Sequence, residues 1–376
     1  LPDCWIGIHF HLSLKFSCTT LQQRTTMTEL IQHPIATTEP YSRFFFINPV
    51  GDLSLVSSIH DALNATQDGG YMWLDYCDPK TEDLEPLITE LNIHPLSVED
   101  SLNEEQLPKL DLFPNYSFLI LNIFDFSSEE LLAKELDLAV GRNFVISITH
   151  RDRQRRPLMQ GMERLVERER NKIQNGPSFL VHLITDSVVD RKFLAIDRIE
   201  TKLDKDEDEI LKGSPDYDLS RLLDSRRDLM TIRKSVFYER EVLSKLIRQD
   251  SPFIAEKSLV FFRDVYDHLS RYYELSETAR DQVTSLMEIH LSLVSNRMAA
   301  TSNRTNAIMR RLTLISSIFM PLTLISGIGG MSEYTMIVGQ ENWKIGYLLL
   351  MVLMIIVATI NFLLLRRMER NLPGDE

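Results

Sequence analysis

The chain has 376 residues, enough for a sizeable folded core, and 54 acidic against 41 basic side chains give it a net charge of −13 at pH 7. That balance argues against nucleic-acid binding and is compatible with binding cations. Cys4, Cys18 and Cys77 form neither a metal-ligand spacing nor a disulfide framework, which fits a reducing compartment. Residues 1–43 read as an N-terminal extension, partly disordered. Its apolar stretch from Trp5 to Phe16 is broken by His9, His11 and Lys15 and has no basic segment before it, which argues against a signal peptide.

Residues 44–176 read as a mixed α/β domain. Strands are expected at Phe44–Asn48, Tyr71–Tyr76, Tyr116–Phe126 and Asn143–Ile148, where apolar residues alternate or run on. Helices are expected at Thr81–Leu91 and Pro95–Asn103. No Gly-rich phosphate loop follows any strand, and no nucleophile, base or cofactor motif emerges, so an enzyme is not expected.

From residue 177 the pattern turns helical. Residues 177–252 read as an antiparallel hairpin of two helices, Phe179–Lys212 and Asp218–Arg248, joined by Gly213-Ser214-Pro215. Between Asp197 and Glu209 lie seven acids and three bases, either a solvated helix face or a cation-attracting one. Phe253 to Met320 then runs 68 residues without Gly or Pro, which as one helix would span ~100 Å. Small or apolar residues recur every seven positions at Leu286, Leu293, Ala300, Ala307 and Leu314, so copies of this helix are expected to associate in a bundle. Ser295-Asn296-Arg297-Met298 is echoed at Ser302-Asn303-Arg304-Thr305, which reads as one inserted heptad.

Two uncharged apolar runs end the chain, Leu312–Ile328 and Ile345–Leu365, the second of 21 residues. A lipid core of ~30 Å needs roughly 20 residues in a helix, so the pair reads as a membrane hairpin. Arg297, Arg304, Arg310 and Arg311 precede the first span, and Arg366, Arg367 and Arg370 follow the second. The loop carries Glu333, Glu341 and a single base, Lys344. The positive-inside rule then places both termini in the cytoplasm and the loop outside. The expected organisation is an extension (1–43), a cytoplasmic α/β domain (44–176), the acidic hairpin (177–252), a stalk helix (253–311), a first span (312–330), an outer loop (331–344), a second span (345–366) and a cytoplasmic tail (367–376).

The order of several motifs resembles the CorA family of divalent-cation channels. In the last third these are Ser302-Asn303-Arg304-Thr305-Asn306, Met309, Leu312-Thr313, Phe319-Met320-Pro321-Leu322-Thr323, Gly327-Ile328 and Gly330-Met331. Earlier come His94-Pro95-Leu96, Glu99-Asp100, Pro108-Lys109, Tyr116-Ser117-Phe118 and Phe262-Arg263-Asp264-Val265-Tyr266-Asp267-His268. The resemblance covers roughly residues 44–370. It implies a homopentameric funnel in the inner membrane with an αβα cytoplasmic domain, in which five first spans line a pore and five second spans surround them. It also implies passive movement of hydrated Mg²⁺, with Co²⁺ and Ni²⁺, and Mg²⁺ acting as both cargo and regulatory ligand. No other cofactor is expected.

Site residues follow from the resemblance by position. Glu288 falls where the family has a pore-lining Asp, provided that the echo is an inserted heptad. Asn306 would supply a ring of amide oxygens. Met309, Leu312 and Met320 share a helix face and would form an apolar constriction, although ordinary packing gives the same spacing. Thr323 would add hydroxyls. Glu99 and Asp100 match one side of the family's inter-subunit regulatory Mg²⁺ site and Asp264 the other, with Asp186 or Asp190 as a possible addition; helix-surface charge is the plainer reading of the first two. No histidine pair has a metal-ligand spacing. At the outer mouth the family's Gly-Met-Asn is Gly330-Met331-Ser332 here, followed by Glu333. Three outcomes stay open: a Mg²⁺ channel with a weaker outer site, altered selectivity towards zinc or another transition metal, or a non-conducting oligomeric sensor or scaffold.

Overall fold

The computed structural model describes residues 40–103, 106–127, 130–151, 158–159, 161–214, 217–331 and 343–370. Described residues up to Met287 form one compact unit and those from Glu288 form a second.

The first unit is built on a seven-stranded sheet ordered β2-β1-β3-β7-β6-β5-β4. Its strands are β1 (Tyr41–Ile47), β2 (Leu53–Val56), β3 (Tyr71–Cys77), β4 (Lys109–Leu112), β5 (Tyr116–Ser127), β6 (Glu130–Gly141) and β7 (Phe144–Thr149). Only β3 and β7 run parallel; the other neighbours are antiparallel. Every residue of β3 is buried. Strand alternation explains how a single run serves two cores. Met72, Leu74 and Tyr76 join one apolar cluster with Leu84, Leu87 and Val98 of the helices α2 (Thr81–Leu91) and α3 (Pro95–Leu102), alongside α1 (Ile59–Ala65). On the alternate positions, Tyr71 donates to the Ile173 carbonyl at 2.9 Å and Trp73 Nε1 to Ser147 Oγ at 2.9 Å.

The second face is covered by short helices α4 (Met162–Arg168) and α5 (Arg170–Ile173), then by the long α6 (Pro177–Leu211) and α7 (Ser220–Ile247). The last two form the expected hairpin, clasped near its turn by Arg221, which pairs with Asp206 at 2.5 Å and Glu209 at 2.7 Å. Deeper in, Lys192 of α6 and Glu239 of α7 form a fully buried ion pair at 3.0 Å. Both also bind β5: Lys192 Nζ donates to the Asn122 carbonyl at 2.6 Å, and the Asn122 amide donates to Glu239 Oε1 at 2.8 Å.

Helix α8 runs from Leu259 to Gly329 and α9 from Trp343 to Arg370. The expected start at Phe253 is corrected. Pro252 and Phe253 form a turn, Ile254 bends and Glu256–Ser258 is a single 3₁₀ turn, so the α-helix begins six residues later. Pro321 does not end it; the helix tolerates the lost amide and continues through the apolar run. Phe262, Val265, Leu269, Ala279, Val283 and Leu286 bury one stripe of α8 in the first unit. Of the remaining sevenfold positions, Ala300 and Ala307 are exposed within one chain.

Candidate functional site

Two sets of residues carry the chemistry, one in each unit. In the second unit, the half-buried positions of α8 recur at helical spacing: Leu314, Ile318, Pro321, Ile325 and then buried Gly329. Those of α9 do the same at Leu350, Met354, Val357, Asn361 and Leu365. The helices therefore pack along one stripe each. At Gly329 there is no room for a side chain: a Cβ there would lie 2.6 Å from Leu350 Cδ1. Small residues serve this role in membrane hairpins because they let backbones approach.

At 100° per residue, Met309, Leu312, Met320 and Thr323 fall on the opposite side of α8 from that stripe. They are exposed, Met320 by 75%. Asn306 is also exposed, one turn before Met309. A groove on this side is lined by Ser316, Met320, Thr323, Gly327 and Met331 among others. The Thr323 hydroxyl donates to the Phe319 carbonyl at 2.8 Å, within its own helix. The exposed side of α8 thus sets amide, hydroxyl and glycine groups among apolar side chains such as Leu312, Phe319, Met320 and Leu324. The exposed side of α9 is almost wholly aliphatic, with Leu348, Leu349, Met351, Val352 and Ile355. Both helices are long and apolar enough to cross a membrane. Glu288 is exposed at the head of the second unit. Gly330 and Met331 close the helix with turns back to Ser326 and Ile328. Ser332 and Glu333 lie outside the described residues.

In the first unit, α3 carries Glu99 and Asp100. Its start is fixed by the motif residues before it. His94 caps the helix, its Nδ1 accepting from the Leu96 amide at 3.2 Å, and Pro95 supplies a pre-set φ at the first position. The Tyr116 hydroxyl ties this end to β5, accepting from the His94 amide at 3.0 Å and bonding Ser97 Oγ at 2.7 Å. Glu99 projects into solvent, whereas Asp100 is half-buried and engaged. Lys109 Nζ lies 2.7 Å from its Oδ2, and Gln106 Nε2 donates to Oδ1 at 3.3 Å.

Beneath Asp100, Asp137 of β6 is buried with Ser101 and Glu135 nearby. Burial, followed by repulsion from Glu135, pushes its carboxyl up from 3.8 to about 8. The folded chain therefore holds a proton that the unfolded chain loses above about pH 4. Stability should fall as pH rises from about 4 to about 8. Asp137→Asn is expected to flatten that slope in thermal melts of the detergent-solubilised protein; an unchanged slope would mean that Asp137 is ionised in the fold.

Asp264 is not grouped with Asp100 within one chain. It is exposed on α8 and belongs electrostatically with Asp186 and Asp190 of α6 and His268 of α8. Asp186, Asp190 and His268 each offer a ligand atom, all within 4.8 Å of one another. Burial and then repulsion from Asp190 push the Asp186 carboxyl up to about 7, an effect that His268 partly offsets and Asp264 adds to. His268 Nδ1 is buried and has no hydrogen-bond partner among the described residues. A set with two close carboxylates and an unpartnered imidazole nitrogen fits a divalent cation, whose charge would relieve the repulsion. Sequence spacing could not show His268 as a member, because its partners sit on a different helix.

The chain matches the family described as "CorA-like Mg2+ transporter protein" over residues 68–367. The cobalt/magnesium transport protein CorA of Thermotoga maritima is 34% identical over 272 residues, covering 71% of this chain and 74% of that one. The CorA of Methanocaldococcus jannaschii is 26% identical over 304 residues, covering 80% and 92%. The complete structure of the latter superposes with a TM-score of 0.64 at 24% identity, over 87% of this chain and 97% of that one, so its α/β domain, long helix and two C-terminal apolar helices recur here. The chain belongs to the CorA-like Mg²⁺ transporter family.

Proposed function

We propose that the chain is a passive membrane channel for hydrated divalent cations, Mg²⁺ foremost, whose pore is lined by the α8 helices of five copies. One observation supports this reading: the side of α8 turned away from α9 sets Ser316, Thr323 and Gly327 among its apolar side chains, while the exposed side of α9 is aliphatic almost throughout. The second surface suits lipid, and the hydroxyls of the first suit a water-filled path. Asn306 would hold the hydrated ion through its waters, since Mg²⁺ dehydrates reluctantly. Met309, Leu312 and Met320 would form the apolar constriction, and Glu288 would gather cations at the cytoplasmic mouth. Gly330, Met331, Ser332 and Glu333 would select at the outer mouth. Both termini would lie in the cytoplasm, as the arginine flanks favour.

The acidic residues of the first unit would sense cytoplasmic Mg²⁺. Glu99 and Asp100 of one copy would face Asp264 of its neighbour, with Asp186, Asp190 and His268 extending the site. A bound cation supplies positive charge that holds these carboxylates together; without it they repel and the closed arrangement loses its bias.

Uptake into liposomes holding the purified protein tests the reading. Mg²⁺ flux that stops when Mg²⁺ on the cytoplasmic face is raised is the expected result. Flux of Zn²⁺ with none of Mg²⁺, or no flux from an assembled oligomer, would overturn it. Asp264→Ala is expected to raise the Mg²⁺ needed for closure about tenfold, the scale of one lost charged contact of ~1.4 kcal/mol. Unaltered inhibition would exclude Asp264 from the sensor.

A further inference from the structure

Asp100 is already occupied. Its Oδ2 accepts from Lys109 at 2.7 Å, and its Oδ1 faces Gln106 Nε2 at 3.3 Å. Lys109 has a second carboxylate in reach, Asp111, at 3.0 Å. Residues 109 and 111 project from the same face of β4, because strand side chains alternate. That strand is fixed to β5 through the pairings Lys109↔Ile120 and Asp111↔Phe118. The backbone thus anchors Lys109 beside both acids, and its ammonium bridges them, while the four-carbon stem lets it give up one and keep the other. Partial burial works against the charge of Lys109, but hydrogen bonds to Asp100 and Asp111 more than offset this and raise its pKa. The ammonium is charged throughout the physiological range.

We infer that Lys109 is a tethered competitor of the sensed cation: it bridges Asp100 and Asp111 when no divalent ion is bound, and keeps Asp111 alone when one binds. This rests on the proposal that Asp100 is a ligand of the regulatory cation. An ammonium 2.7 Å from Asp100 Oδ2 repels a divalent ion approaching that carboxylate, so the apparent affinity is weakened by the strength of the Lys109 contact. Asp111 sets how readily Lys109 leaves. The result is a sensor whose threshold is tuned by a neighbouring strand, with Asp100 itself unchanged. It also keeps α3 from carrying an unbalanced charge above the buried Asp137 when the cation is absent.

The test is a Mg²⁺ titration of the full-length purified protein, read as protection from proteolysis, with Asp100→Asn as reference. Lys109→Met is expected to lower the half-saturating Mg²⁺ concentration about fivefold, the scale of a half-exposed ion pair. Asp111→Asn, which removes the charge that Lys109 would keep on leaving Asp100, is expected to raise it. Both shifts should shrink as monovalent salt is raised, because the ion pair is partly exposed. Lys109→Met with unchanged or weaker Mg²⁺ affinity would overturn the inference, provided that Asp100→Asn still weakens binding. If Asp100→Asn has no effect, the regulatory reading itself fails.

Discussion

Asn306→Leu is expected to reduce Mg²⁺ flux into liposomes about a hundredfold while leaving the oligomer intact on size exclusion. The argument begins with the ion. Mg²⁺ holds its waters tightly, so a path for it must offer acceptors to a hydrated ion at the points where bulk water is lost. On the exposed side of α8, Asn306 is the amide that precedes the run of Met309, Leu312 and Met320. Each hydrogen bond involving a charged group contributes roughly 1.5–3 kcal/mol, so losing the amides of the ring reaches the hundredfold scale with two such contacts. Leucine would also extend the apolar constriction by a turn and favour its dewetting. The side chain is exposed in the single chain, so the substitution does not disturb that chain's own core. Asn306→Gln, which keeps the amide on a longer arm, should retain part of the flux. Full flux in Asn306→Leu would take Asn306 out of the ion's path.

The second large effect is on stability. Lys192→Met is expected to cost about 3–5 kcal/mol, because it leaves the Glu239 carboxylate buried without its counter-charge. Both side chains are completely buried, and each binds Asn122 of β5. The loss therefore loosens α6 and α7 from the sheet together. Replacing both partners, as Lys192→Met with Glu239→Leu, should recover most of the loss, since a packed apolar pair can substitute for a buried ion pair. Thermal melting of the solubilised protein checks both. A single variant that melts like the parent would show that water or another cation reaches Glu239.

The elements that sequence patterning predicted share a property: their apolar residues follow the period of the element. Thr81–Leu91 is found as predicted, and Tyr71–Tyr76 differs by one residue from β3. Strand β6 was not predicted, although it lies between β5 and β7 in the sheet. Glu130, Lys134, Glu135 and Asp137 interrupt its apolar pattern, and tertiary contacts compensate for them: Glu135 accepts from the Gln106 amide and Asp137 keeps its proton. Strands β2 and β4, of four residues each, are too short to establish a period. The residues proposed for the pore were legible for a local reason, since a single helix carries them and helical spacing alone puts them on one side. The cluster of Asp186, Asp190 and His268 was only partly legible. Asp186 and Asp190 are four residues apart on α6, but His268 reaches them from α8 through the fold. The ion pair between Asp100 and Lys109 depends likewise on α3 and β4 meeting at the sheet edge.

Thr323 gives its only hydroxyl proton to the Phe319 carbonyl, and that bond turns the oxygen's lone pairs away from the helix. A ring of such threonines would present acceptors and no donors. Waters around a cation point their protons outward and would be welcomed there. Waters around an anion point their oxygens outward and would meet lone pairs. The hairpin would then tell the sign of a passing ion by the orientation of its solvent, at a position that carries no formal charge.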